Sequence, residues 1–240
     1  MATSQPLPGS RELEALAHAA FTNSQRLLTN AELLLDNGSW PVAHALATLA
    51  LEEVGKSFLC IFASANPEPF REDFWTAFRS HTVKIQMAHV VLAPLADTTR
   101  PRPFFQAIEA FGQAAKADHS TKMRGLYADY QDGTVLNPGD VTEQDARGMV
   151  VHARDGLDLL TPFTTDDGLD PEFTTFLAAQ SAHLMTLFTS PDGDRDALVQ
   201  QLWDTILAGE AEPPSWVLSN MLPDPGDDGS HNNIPKWDNS

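Results

Sequence analysis

The chain has one cysteine, Cys60, in 240 residues. It can form neither an intrachain disulfide nor a Cys-based zinc site, and it points to a reducing compartment. The amino terminus, MATSQPLPGS, has no basic stretch followed by an apolar one, so no secretory signal is expected. Long hydrophobic runs are also missing. The longest uncharged stretch of the apolar region, Asn37–Leu51, contains Asn, Ser, His and Pro and falls short of a membrane span. There is no Gly-rich phosphate loop ending in Lys-Ser/Thr, no Gly-x-Ser-x-Gly and no His-Glu-x-x-His. The expectation is a soluble cytoplasmic protein with no membrane partner.

Basic residues are scarce too: 15 Lys and Arg stand against 33 Asp and Glu, a net charge of -18. Taken whole, that argues against a general binder of nucleic acid or anionic membranes. The deficit is uneven, however. Residues 1–125 carry 11 basic and 12 acidic groups, whereas residues 126–240 carry 4 and 21. The objection to an RNA partner therefore applies to the second half alone.

What is abundant is helical periodicity, with few alternating β-branched runs. The first helix is expected from Ser10 to about Leu35, stopped by Asn37-Gly38, and the second from Pro41 to about Ala63, antiparallel to it. Further helices are read over Glu72–Ala96, Phe104–Tyr127 and Thr142–Leu160, with a loop at 128–141. Two weaker helices, Pro171–Phe188 and Asp194–Leu207, precede an acidic, Pro- and Gly-rich tail. The fold class is all-α: an antiparallel bundle over 10–161, accessory helices over 162–209 and a flexible tail over 210–240, after a flexible 1–9.

The polar residues that interrupt apolar stripes are the most informative. In the second helix the stripe Val42, Leu46, Leu49 runs on into Glu53, Lys56 and Cys60. In the third, Phe74 and Phe78 lead to His81, with Lys84 one turn on. In the fourth, Ile108, Phe111 and Ala115 lead to His119 and Lys122. Each polar pair is spaced i,i+3 and shares a helix face. Brought together, the pairs make a cationic pocket within an acidic protein. An imidazole beside ammonium groups suits acid–base chemistry at a phosphodiester, or simple phosphate binding. Neighbouring lysines repel a cation, so no metal or cofactor is expected. A hydrogen-bonded network that only fixes the bundle is the competing reading. Arg79 could extend the cationic region toward phosphate.

These same residues carry a resemblance. AELLLDNGSWPVAHALATLALEEVGKSFL, FWTAFRSHTVKIQMA and KMRGLYADYQDG resemble, in order and spacing, segments of the AbiV-type abortive infection proteins of the HEPN superfamily, over about Glu12–Val151. The resemblance implies an α-helical bundle, often dimeric, that arrests phage multiplication and acts on RNA or translation. It singles out Glu53, Lys56, His81, Lys84, Lys122, Tyr127 and Asp129. The superfamily's Arg-x4–6-His signature is met by Arg147 and His152, and also by Arg11 and His18, although Gly148 replaces the polar residue usual after the arginine.

The combined expectation is a phage-defence effector that stops translation by metal-independent RNA cleavage or RNA binding. Glu53, Lys56, His81 and Lys84 are the catalytic candidates, with Arg147 and His152 as a second set. Arg79, His119, Lys122, Tyr127 and Asp129 are expected to bind substrate. A homodimer, RNA, and a phage-encoded trigger or translation component are the expected partners. Two other classes stay open: a protein-binding module without chemistry, and a nucleotide-sensing bundle.

Overall fold

In the computed structural model, residues 5–96, 104–131, 133–161, 164–165, 168–172 and 175 are described. Among the described residues, six α-helices carry the fold: α1 (Ser10–Asp36), α2 (Trp40–Ala65), α3 (Phe74–Arg79), α4 (His81–Ala96), α5 (Phe104–Leu126) and α6 (Glu143–Leu160). Two small antiparallel hairpins accompany them, β1 (Asp129–Gln131) with β2 (Thr134–Leu136), and β3 (Thr164–Thr165) with β4 (Gly168–Leu169).

Helix α2 is the axle of the bundle, and α1, α4, α5 and α6 all pack on it. The sequence explains why. From Pro41 to Ala63 its charges are Glu52, Glu53 and Lys56, and small residues such as Ala43, Ala47, Ala50 and Gly55 let neighbouring backbones approach from several sides. Helix α1 is amphipathic and buries Leu13, Ala17, Phe21, Leu28, Ala31 and Leu35 against it. The reversal between them uses Gly38 at φ +72°, a left-handed position that favours glycine. Pro41 then sits in the first turn of α2, where its missing N–H costs nothing. Side chains bind the pair as well: Ser24 Oγ donates to the Ala50 carbonyl at 2.8 Å, and Ser57 Oγ donates to that of Ala17.

Two expectations need correction. The helix read over Glu72–Ala96 is broken at Ser80, whose backbone is extended (φ -77°, ψ 119°). Ser80 ends α3 and caps α4, its Oγ accepting from the Val83 N–H at 3.3 Å. His81 is therefore the first residue of a new helix. The segment after α5 contains the β1–β2 hairpin rather than loop alone, with Gly133 at φ +84° before β2. Helix α6 begins as expected: Thr142 and Asp145 form a reciprocal capping box. The expected helix over 171–188, beyond residues 171, 172 and 175, the helix over 194–207 and the acidic tail lie outside the described residues.

Close crossings set the register of the site. A Cβ on Gly55 would lie 1.8 Å from the Lys84 carbonyl oxygen, so α4 rests directly on the α2 backbone there. A Cβ on Gly125 would lie 2.6 Å from the Pro41 carbonyl oxygen, which fixes the end of α5 against the start of α2. No described helix is long and apolar enough to cross a membrane.

Candidate functional site

The carboxylate at the centre of the polar cluster is Glu52. It is 2 % exposed and faces groups from α4 and α5. Lys122 Nζ donates to Oε1, His81 Nδ1 lies 2.6 Å from Oε2, and Lys84 Nζ sits 3.6 Å from Oε2. Lys122 and Lys84 are buried, whereas the His81 side chain is 52 % exposed. Next to His81 the His119 ring stacks almost parallel, with centroids 5.3 Å apart and planes 16° apart. So α2 gives the anion, α4 an imidazole and an ammonium, and α5 the same two groups again.

Electrostatics follow from this packing. Burial alone would raise the Glu52 carboxyl, but the hydrogen bonds from Lys122 and His81 and the charges of both outweigh it and hold it below the ordinary carboxylate range. Burial lowers the Lys84 ammonium, only partly opposed by Glu52. Burial first, then the charges of Lys122 and His81, lowers His119. One carboxylate against two lysines leaves an excess of positive charge around an exposed imidazole, which attracts an anion.

Glu52, His81 and His119 each offer a ligand atom, all within 4.8 Å of one another. That composition suits a transition metal. The same carboxylate, however, is crowded by the ammonium groups of Lys122 and Lys84, which oppose a dication and favour a phosphate.

The structure brings together three helices' polar pairs, with one change. Glu53 pairs with Lys56 and stands one step outside the cluster, while the charges of both still act on Lys84. Lys56 also lies over the Phe78 ring at 5.5 Å. Glu52 takes the place expected of Glu53, because α2 is buried nearly all round and the stripe Thr48–Glu52 lies deeper than the stripe leading to Glu53. Arg79 is exposed, bonded to Gln5 Oε1 at 3.0 Å and 5.5 Å from the Trp75 ring. Tyr127 is 58 % exposed just past the end of α5, and Asp129 opens β1.

The second candidate pair, Arg147 and His152, is not brought together within the chain. Arg147 is exposed and pairs with Glu143 at 2.7 Å. His152, five residues on and about 140° around the helix, turns inward instead. Its Nε2 lies 2.8 Å from His89 Nδ1, and His89 Nε2 lies 2.8 Å from Asp118 Oδ2. This Asp118–His89–His152 chain joins α5, α4 and α6, and sequence spacing gave no sign of it beyond the adjacency of Asp118 to His119. Cys60 is buried, and burial pushes its thiol up to about 12, which leaves it inert.

The family model described as AbiV, of the HEPN group, matches residues 12–157, well over half of the chain. The chain belongs to the AbiV family. AbiV proteins are abortive-infection proteins, so membership points to a role in phage defence. The matched span runs from α1 through nearly all of α6 and contains every residue of the Glu52 cluster. Neither curated proteins nor solved structures give a match.

Proposed function

We propose that this AbiV-family chain is an abortive-infection effector that acts on RNA at the Glu52 centre, by metal-independent cleavage or by binding, and so shuts down translation. The observation that carries this reading is the exposed His81 ring, held at Nδ1 by a buried carboxylate and backed by Lys84 and Lys122. A carboxylate on Nδ1 fixes that tautomer and leaves Nε2 free to take a proton. The ammonium groups supply the positive field that a phosphoryl group gaining charge requires. With the ribose 2′-hydroxyl as internal nucleophile, this chemistry runs without a metal. Working in the cytoplasm as a homodimer, and answering a phage-encoded trigger or a translation component, is part of the same proposal. The test is to incubate pure protein with total RNA, with and without EDTA. Degradation that survives EDTA and disappears in a folded His81→Ala variant is expected; EDTA-sensitive degradation, or a variant as active as the parent, refutes the assignment.

A second reading is a protein-binding defence module in which the polar groups only stabilise the bundle. The burial of Glu52, Lys84 and Lys122 favours it. So does the group of exposed apolar residues Trp40, Val42, Met123, Leu126 and Tyr127 where the start of α2 meets the end of α5. Under that reading His81→Ala leaves phage protection intact.

A further inference from the structure

The two stacked imidazoles differ in their partners. His81 Nδ1 faces Glu52 Oε2 at 2.6 Å. His119 Nδ1 is buried and has no hydrogen-bond partner among the described residues. That difference fixes where the protons sit. In its neutral form His81 keeps its hydrogen on Nδ1, facing Glu52, and has its lone pair on Nε2. A hydrogen on His119 Nδ1 would be a buried donor with no acceptor, which folded proteins scarcely tolerate, whereas an unmatched acceptor is tolerated more readily. The neutral His119 ring therefore carries its hydrogen on Nε2. Adding a second proton would create that orphan donor, beside the Lys122 ammonium on its own helix and the His81 ring on α4. Glu52 on α2 pulls the other way but is already engaged by Lys122 and His81.

We propose that His119 is a constantly neutral hydrogen-bond donor in this site, presenting its Nε2–H to a non-bridging phosphoryl oxygen of the RNA backbone, while His81 alone carries the proton. The assignment rests on the RNA reading of the Glu52 centre and deepens it. In the reaction, the 2′-oxygen bonds to phosphorus as the P–O5′ bond breaks. His81 Nε2 takes the 2′-hydroxyl proton and returns it to the departing 5′-oxygen. His119 keeps its hydrogen throughout and stabilises the charge gathering on the phosphoryl oxygens. Burial and the adjacent charges lower the tendency of His119 to ionise, in line with the neutral state that the geometry requires. The role matches a neutral imidazole used as an electrophile rather than as a base.

Glutamine places an amide N–H near the position of the imidazole Nε2–H and cannot ionise near neutral pH, which makes the test sharp. RNA cleavage by His119→Gln is expected within about threefold of the parent, and that by His119→Ala down about a hundredfold, the loss typical of one such donor. Both should keep the parent's pH profile. A His119→Gln variant as weak as His119→Ala, with one limb of the pH profile gone, would show His119 carrying a proton and overturn the proposal. Nitrogen-15 NMR of the parent's imidazoles at neutral pH gives a readout that needs no cleavage. A protonated Nε2 with a bare Nδ1, shifted on adding RNA, is expected; an Nδ1–H tautomer, an imidazolium, or no response to RNA overturns it. A parent that cleaves no RNA would defeat the cleavage reading alone, and the NMR result would still decide the role of His119.

Discussion

Replacing Glu52 by leucine removes the anion that Lys122 and Lys84 share, at positions where both lysines are buried. Leaving one member of a buried pair without its partner costs about 3–5 kcal/mol. Deprotonating a lysine offers an escape: from an ordinary value of 10.5, neutralising one at pH 7 costs about 5 kcal/mol, at about 1.4 kcal/mol per unit. The two limits agree, and a loss of about 3–5 kcal/mol is a fifth or more of the stability of a typical domain. Urea unfolding followed by helical circular dichroism measures it. Adding Lys122→Met to Glu52→Leu takes away one stranded charge, so the double variant should recover about half of the loss. The parent should also lose stability in acid. The Glu52 carboxyl is held below its unfolded value, so its contribution is complete above about pH 4.5 and declines as the pH falls through the folded value. A Glu52→Leu variant within about 1 kcal/mol of the parent, or a double variant in which the two losses simply add, would refute the role of Glu52 as the shared counter-ion.

Two further outcomes follow from the packing. Gly55→Ala places a methyl group 1.8 Å from the Lys84 carbonyl oxygen, so α4 must move off α2, and thermal unfolding should show a loss of about 3 kcal/mol. Burial, then the neighbouring His89, pushes His152 down to about 4 against the pull of Asp118, so the ring is neutral in the fold and charged in the unfolded chain between that value and 6.5. Stability from this group is full above pH 6.5 and is lost as the pH falls toward 4. His152→Gln, which keeps a donor without titrating, should flatten that part of the melting temperature against pH curve.

The backbone plan was legible where local signals are strong. Asn37-Gly38 and Pro41 announced the α1–α2 reversal, and Thr142 announced the start of α6. Ser80 was not legible as a break, because one serine inside an apolar period of 3.6 also fits an unbroken helix; its capping role appears only from the extended backbone. At the site, the three interrupted stripes named His81, Lys84, His119 and Lys122, which the fold gathers into one cluster. They misplaced the anion by one residue, since periodicity separates faces only when one face is wet, and α2 has almost none. The Asp118–His89–His152 chain depends on three helices meeting, a long-range fact that no spacing within one helix encodes.

Asp118 and His119 are neighbours in α5, and consecutive helical residues point about 100° apart. One serves the His89–His152 chain and the other the Glu52 centre, so α5 is keyed at two angles at once. Sliding α5 along the bundle by one residue would undo both networks together and strand charge in each. The adjacent pair thus works like two teeth of a key, adding a penalty against misaligned bundles to that of the close helix crossings.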